Sequence, residues 1–173
     1  MIFREDRRVW FQPILWIIVL GDLAMLGWLL NKFRTSLFTD PGGWVGLGAL
    51  VFTLVVIGWA ALAFAQYFVT FDGEEIAFGF NGCNGRVALE SIESVEVLPH
   101  VNLIPFGGMG WRFDFGGKRI GFILSKGSAM QITPRGGKWR YTFSCNGTEE
   151  LAVHMEKAGI DVKRPCRAVR MPQ

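Results

Sequence analysis

The sequence predicts an α+β, membrane-anchored chain: an N-terminal transmembrane helical hairpin, then a seven-stranded antiparallel β barrel or sandwich capped by a C-terminal α-helix. Three observations predict it. Residues 41–71 carry no formal charge, and 44–64 are long enough as a helix to cross a hydrocarbon core, which takes about 20 apolar residues. After residue 71 the apolar pattern changes to period two and is broken repeatedly by turn dipeptides. Residues 146–160 return to helical spacing.

Residues 1–8 place Arg4, Arg7 and Arg8 beside Glu5 and Asp6, ahead of an apolar stretch over 9–30. Acids in that flank and the lack of a small-x-small cleavage site argue for a retained helix rather than a removed signal peptide. Residues 31–43 read as a turn, with Asp40-Pro41-Gly42-Gly43 as breaker chemistry. The expected helices run over about 11–30 and 44–65. Trp10 and Trp16 toward one end and Trp28 and Trp44 toward the other suit the two membrane interfaces. Both termini then share one side, which reduced-looking cysteines and a basic tail assign to the cytoplasm. The expected organisation is a hairpin over 1–68, a β domain over 69–160 and a basic tail over 161–173.

Asp22 is the single acid inside the spans, where insertion costs about 3 kcal/mol. Thr53 is its depth-matched partner in an antiparallel hairpin, and a structural or assembly role outweighs a proton relay because no second ionisable group shares its depth.

Residues 65–71 (AQYFVTF) read as strand rather than helix. Further strands are expected over 74–80, 86–99 (one or two), 111–115, 119–124, 129–133 and 139–143, with Asn81-Gly82 and Asn84-Gly85 as turns. Barrel alternation would put Trp111, Phe113 and Phe115 in the core, with Arg112 outside as a candidate contact. Asn146 caps the final helix in the manner of a capping box with Glu149. Leu151, Met155 and Ala158 make its buried stripe, and Gly159-Ile160 its Schellman stop.

Charge is dipolar despite a formal net of +3. Asp72, Glu74, Glu75, Glu90, Glu93 and Glu96 face only Arg86, whereas Arg112, Lys118, Arg119, Lys126, Arg135, Lys138 and Arg140 face only Asp114. Arg112, Lys118, Arg119, Lys138 and Arg140 are therefore the candidate binding residues. Lys163, Arg164, Arg167 and Arg170 form a tail suited to anionic lipid. Acids slightly outnumber bases over 72–159, which disfavours nucleic acid. Cys83, Cys145 and Cys166 lack CxxC or Cys/His spacing, and His100 and His154 have no local ligand partner, so no metal or cofactor is expected. Ser125, Ser128 and Ser144 lack a nucleophile elbow. Asp114 is open between a cross-strand pair with Arg112 and a base.

Gly108-Met109-Gly110-Trp111-Arg112, the Gly116-Gly117-Lys118 hairpin, Ala129-Met130-Gln131-Ile132 and the strand-to-helix junction at 144–151 resemble the bacterial pleckstrin-homology-like membrane proteins over about residues 66–160. That resemblance implies a partly open seven-stranded barrel acting as a binding or scaffold module. It also implies that phosphoinositide recognition would need bases in the first inter-strand loop. Here the loop is Asp72-Gly73-Glu74-Glu75, which repels phosphate. The function expected is a non-catalytic, membrane-tethered interaction module at the cytoplasmic face of the cell membrane. Its expected partners are a protein or an anionic lipid surface, with a homo-oligomer as a further option. The alternative is a small membrane enzyme, transport or assembly subunit centred on Asp22.

Overall fold

The computed structural model describes residues 2–32 and 41–164, which divide into a helical unit over 8–65 and a β unit built from the residues on either side of it. In the helical unit, α1 (Gln12–Lys32) and α2 (Pro41–Ala63) pack against each other. Each is long and apolar enough to cross a membrane. At about 1.5 Å per residue both approach the ~30 Å of a hydrocarbon core. They are apolar all round, with Ile17, Leu20, Val45 and Phe52 exposed, unlike the core helix of a soluble domain. Pro41 opens α2 earlier than expected, a position where its missing N–H costs nothing. Asp40 and residues 33–39 of the expected turn lie outside the described residues.

Asp22 does not meet its expected partner. The Thr53 hydroxyl instead donates to the Ala49 carbonyl one turn back at 2.9 Å. A buried Oδ2 of Asp22 has no hydrogen-bond partner among the described residues.

The β unit begins where the sequence suggested only a helix flank. Phe3–Arg8 is a strand, β1, with Phe3, Glu5 and Arg7 on its inner face and Arg4, Asp6 and Arg8 outside. The other strands are β2 (Gln66–Phe71), β3 (Glu75–Phe80), β4 (Cys83–Ala88), β5 (Ile92–Leu98), β6 (Gly110–Asp114), β7 (Arg119–Ile123), β8 (Ala129–Pro134), β9 (Arg140–Ser144) and a short β10 (Val162–Lys163). Helix α3 (Thr148–Lys157) lies between β9 and β10. Asn84-Gly85, expected as a turn, falls inside β4 because β3 and β4 stay in register from Phe80↔Cys83 to Glu75↔Ala88.

The expected seven-stranded antiparallel barrel is corrected to two sheets, ordered β1-β2-β3-β4 and β10-β5-β8-β9-β7-β6. Two pairings are parallel, β7 with β9 and β10 with β5. The chain leaves β7 through residues 124–128, skips one place to β8, and returns as β9 into the gap. Ser144 pins that crossover: its hydroxyl accepts the Leu124 N–H at 3.0 Å. Ser128 donates to the Cys145 carbonyl at 2.9 Å.

Between the sheets lie Val69, Phe71, Ile76, Phe78, Ile132 and Phe143, with Phe78 and Phe143 stacked at 4.4 Å between centroids. Tyr67 joins the two sheets. It is fully buried, and its hydroxyl lies 2.7 Å from the Ser144 carbonyl oxygen and 3.2 Å from that of Phe122. Burial pushes its pKa well up, keeping it a neutral donor.

Helix α3 ends as expected in a Schellman turn: Ile160 N–H reaches the Met155 carbonyl, Gly159 N–H the Glu156 carbonyl, and Gly159 has φ 87°. Its buried side is Thr148, Leu151, Ala152 and Met155, while Ala158 is exposed. Beyond it Lys163 pairs in β10 beside β5, and Arg164 binds Glu149 and Glu156. These two bases are thus part of the fold rather than of a free tail. Arg167 and Arg170 lie outside the described residues, as does Cys166. Cys83 and Cys145 are free thiols.

Tyr67→Phe keeps the ring and strands the Ser144 carbonyl in the core, so a loss of about 1–2 kcal/mol is expected, read as a lowered melting temperature of the full chain in detergent.

Candidate functional site

The six-stranded sheet is wider than the sheet that covers it, and the difference exposes aromatic rings. Cross-strand register defines two rungs on its inner face. One runs Val97, Met130, Phe143, Phe122, Trp111, and the other Val95, Ile132, Tyr141, Ile120, Phe113. Met130 and Ile132 are fully buried and Phe122 is 3 % exposed, yet Trp111 reaches 42 % and Phe113 39 % at the β6 edge. Trp111, Phe113 and Phe115 are therefore not core. They continue the core's face beyond its cover.

These rings form one cluster. Phe113 lies 5.0 Å from Trp111, 5.9 Å from Phe115 and 6.3 Å from Trp139, and Phe115 lies 5.9 Å from Trp139. Phe115 is 77 % exposed. An edge strand in a soluble sheet is ordinarily blunted by charge or proline on its open side. Beta6 offers two indole and phenyl rings there instead.

The five candidate bases separate into two groups. Lys118 and Arg140 meet around the β6–β7 turn, where Arg140 N–H donates to the Lys118 carbonyl at 2.9 Å and its guanidinium to the Gly117 carbonyl at 3.2 Å. Lys138 adjoins Trp139, and all three side chains are exposed. Arg119 and Arg112 are committed elsewhere. Arg119 binds Asp114 at 2.7 and 2.8 Å and lies over the Phe106 ring, while Arg112 donates to the Met109 carbonyl at 3.0 Å. Asp114 thus pairs with Arg119, not Arg112. It also accepts the Gly117 N–H at 2.9 Å, and these bonds hold its carboxyl below the usual aspartate range. A Cβ at Gly121 would meet the Phe106 ring at 2.8 Å, so only glycine lets the 101–109 loop lie on the sheet's outer face beside this pair.

A second cluster clasps α3. Asn146 was the expected cap, but the N-cap residue is Gly147 and no side chain of the helix's own segment caps it. Glu5 of β1, from the far end of the sequence, instead holds the backbone just ahead of the helix's first turn. Its carboxylate accepts Asn146 N–H at 2.9 Å and Gly147 N–H at 3.1 Å, and it lies 3.2 Å from Cys145 Sγ. Arg7 holds the other oxygen at 2.7 Å. A negative carboxylate at a helix start is favoured by the dipole. Burial and the Glu5 charge push the Cys145 thiol far up, away from reactivity. Phe3 closes the contact: a Cβ on Gly147 would meet its ring at 2.9 Å. The FREDRR run of β1 gave no apolar alternation from which to read this role.

The Asp72 loop is acidic as read. Asp72 accepts Glu74 and Glu75 N–H at 3.0 and 2.9 Å, which lowers its carboxyl, and with Glu74, Glu75 and Glu90 it borders a shallow depression. Among the described residues no three His, Cys, Asp or Glu side chains gather as a metal site.

Glu5→Ala should cost about 2 kcal/mol, with Glu5→Gln between it and the native chain; thermal melts and faster thiol labelling of Cys145 read the loss. Asp114 has a lowered folded value, so its contribution is complete above the unfolded aspartate value of about 3.9 and disappears as pH falls through the folded one. Exchange of the Gly117 amide should accelerate only in that acidic window, and Asp114→Asn should abolish the dependence.

No protein-family model, curated protein or solved structure matches this chain.

Proposed function

We propose that the chain is a non-catalytic, membrane-tethered interaction module whose β unit works at the cytoplasmic face. The observation that carries this reading is the place of β1. It lies before α1 in sequence yet pairs with β2, which follows α2. The Ile2 N–H meets the Phe71 carbonyl at 2.8 Å, so the start of β1 lies beside the end of β2. Cleavage after α1, as in a signal peptide, would remove a sheet strand, a buried phenylalanine and the carboxylate that clasps α3 together. That favours a retained helix.

The same pairing bears on topology. Two segments that share a sheet must share a compartment, so an even number of crossings between them is required. Two apolar helices of membrane length supply that number. The free thiols Cys83 and Cys145 favour the cytoplasm, and the exposed ring cluster supplies a contact surface of the kind an interaction module needs. The strand series followed by α3 is what supports the pleckstrin-homology-like reading. An Asp22-centred transport or assembly role is the second reading, favoured by its unpartnered buried oxygen.

Cysteine accessibility in intact cells tests the topology. With Ser36→Cys in the helix connection, an impermeant maleimide should label position 36 from outside and Cys83 only after permeabilisation. Labelling of both on one side would overturn the two crossings.

A further inference from the structure

We propose that the aromatic edge of β6 is a membrane-contact surface: Trp111, Phe113, Phe115 and Trp139 enter the interfacial zone of an anionic bilayer while Lys118, Lys138 and Arg140 meet lipid phosphates. The inference rests on the membrane-tethered reading above and names the partner of its exposed surface.

The chemistry of the edge selects this occupant. Its rings are two tryptophans, which settle at the headgroup level, and two phenylalanines, which serve the apolar faces of interfacial segments. Among the described residues Lys118, Lys138 and Arg140 form no ion pair. Between Glu96 and Glu149 the chain has one acid, Asp114, and that charge is already held by Arg119 and the turn amide. Beside Trp139 a groove runs between β4 and β9, lined by Arg86, Lys138, Trp139 and Tyr141, so a further base borders the rings.

Arg86 is shared with Glu75 at 3.6 Å and remains largely exposed. The acids gather on the Asp72 loop and at the exposed Glu93 and Glu96 of β5, and among the described ion pairs Glu75 alone reaches a base of this surface. Charge complementarity therefore favours an anionic sheet of headgroups. A second copy of the same edge would bring like charges together, and pairing β6 with β6 would align Arg112 residues at its centre.

Tethering strengthens the case over a soluble acidic peptide. Only residues 64–65 separate α2 from β2. A bilayer crossed by those helices is present at a high effective concentration, so even a weak surface is occupied.

The test uses the full chain reconstituted in vesicles of phosphatidylcholine alone or mixed with phosphatidylglycerol, with bromine on the acyl chains as a tryptophan quencher. The difference between the native protein and Trp111→Phe/Trp139→Phe isolates the edge from the tryptophans of the helices. We expect that difference signal to be quenched strongly in anionic vesicles and several-fold less in neutral ones, and Lys118→Glu/Lys138→Glu/Arg140→Glu to reduce it to the neutral level at an unchanged melting temperature. Equal quenching in both vesicles, or none, overturns the proposal. Unquenched tryptophans together with crosslinked dimers would assign the edge to a second copy, and unquenched tryptophans in a monomer would assign it to a soluble partner; both reject lipid. Labelling at positions 36 and 83 is read separately, so a failed lipid contact with the expected labelling leaves the tether standing, whereas one-sided labelling removes the tether itself.

Discussion

The Glu5 carboxylate is the contact on which the arrangement of the β unit depends. It ties the first strand to the last long helix across 141 sequence positions. Without it the Asn146 and Gly147 N–H groups that lead into α3 would lose their acceptor, and β1 would be an edge strand with a single buried apolar residue, Phe3. Such a strand does not hold by hydrophobic area alone. One charged side chain compensates a helix end and fixes a strand, and Arg7 and Phe3 complete the same contact.

That contact gives the helical pair its place in the chain. Because β1 and β2 are neighbours, α1 and α2 occupy the position that a turn would take in a β hairpin. An insertion between paired strands is held at both ends, unlike a leader attached at one. Any change that loosens β1, at Glu5 or at Gly147 under Phe3, therefore acts on the first of two attachments as well as on α3.

Elements built on apolar periodicity were legible in the sequence, and those built on single polar contacts were not. Strands β2, β3 and β5 through β9 show alternation or β-branched and aromatic runs, and α3 shows its stripe and its Gly159 stop. Strand β1 reads as a charged flank because its inner face is Phe-Glu-Arg, a pattern whose sense appears only when Gly147 and Asn146 stand opposite. Asn84-Gly85 has the chemistry of a turn but is overridden by its register with Phe78 and Gly79. The Asp22–Thr53 pair failed for a local reason, since a helical threonine finds the carbonyl four residues back more readily than a side chain on another helix.

The misreading of Trp111 and Phe113 has a different cause, and it explains the surface they form. Alternation identifies which face of a strand a residue occupies but not whether anything covers that face. Both residues do lie on the core side of their sheet, in rungs continuous with Phe143 and Ile132. The cover is four strands wide and the sheet beneath it six. Exposure at β6 is thus a consequence of unequal sheets, and sequence patterning suited to a core is kept at an edge. In an unpartnered soluble domain an apolar edge of that kind invites aggregation. Its rim of Lys118, Lys138 and Arg140 converts the same rings into a surface with a preference among partners, since an apolar face selects for burial and the cations select for the sign of what buries it.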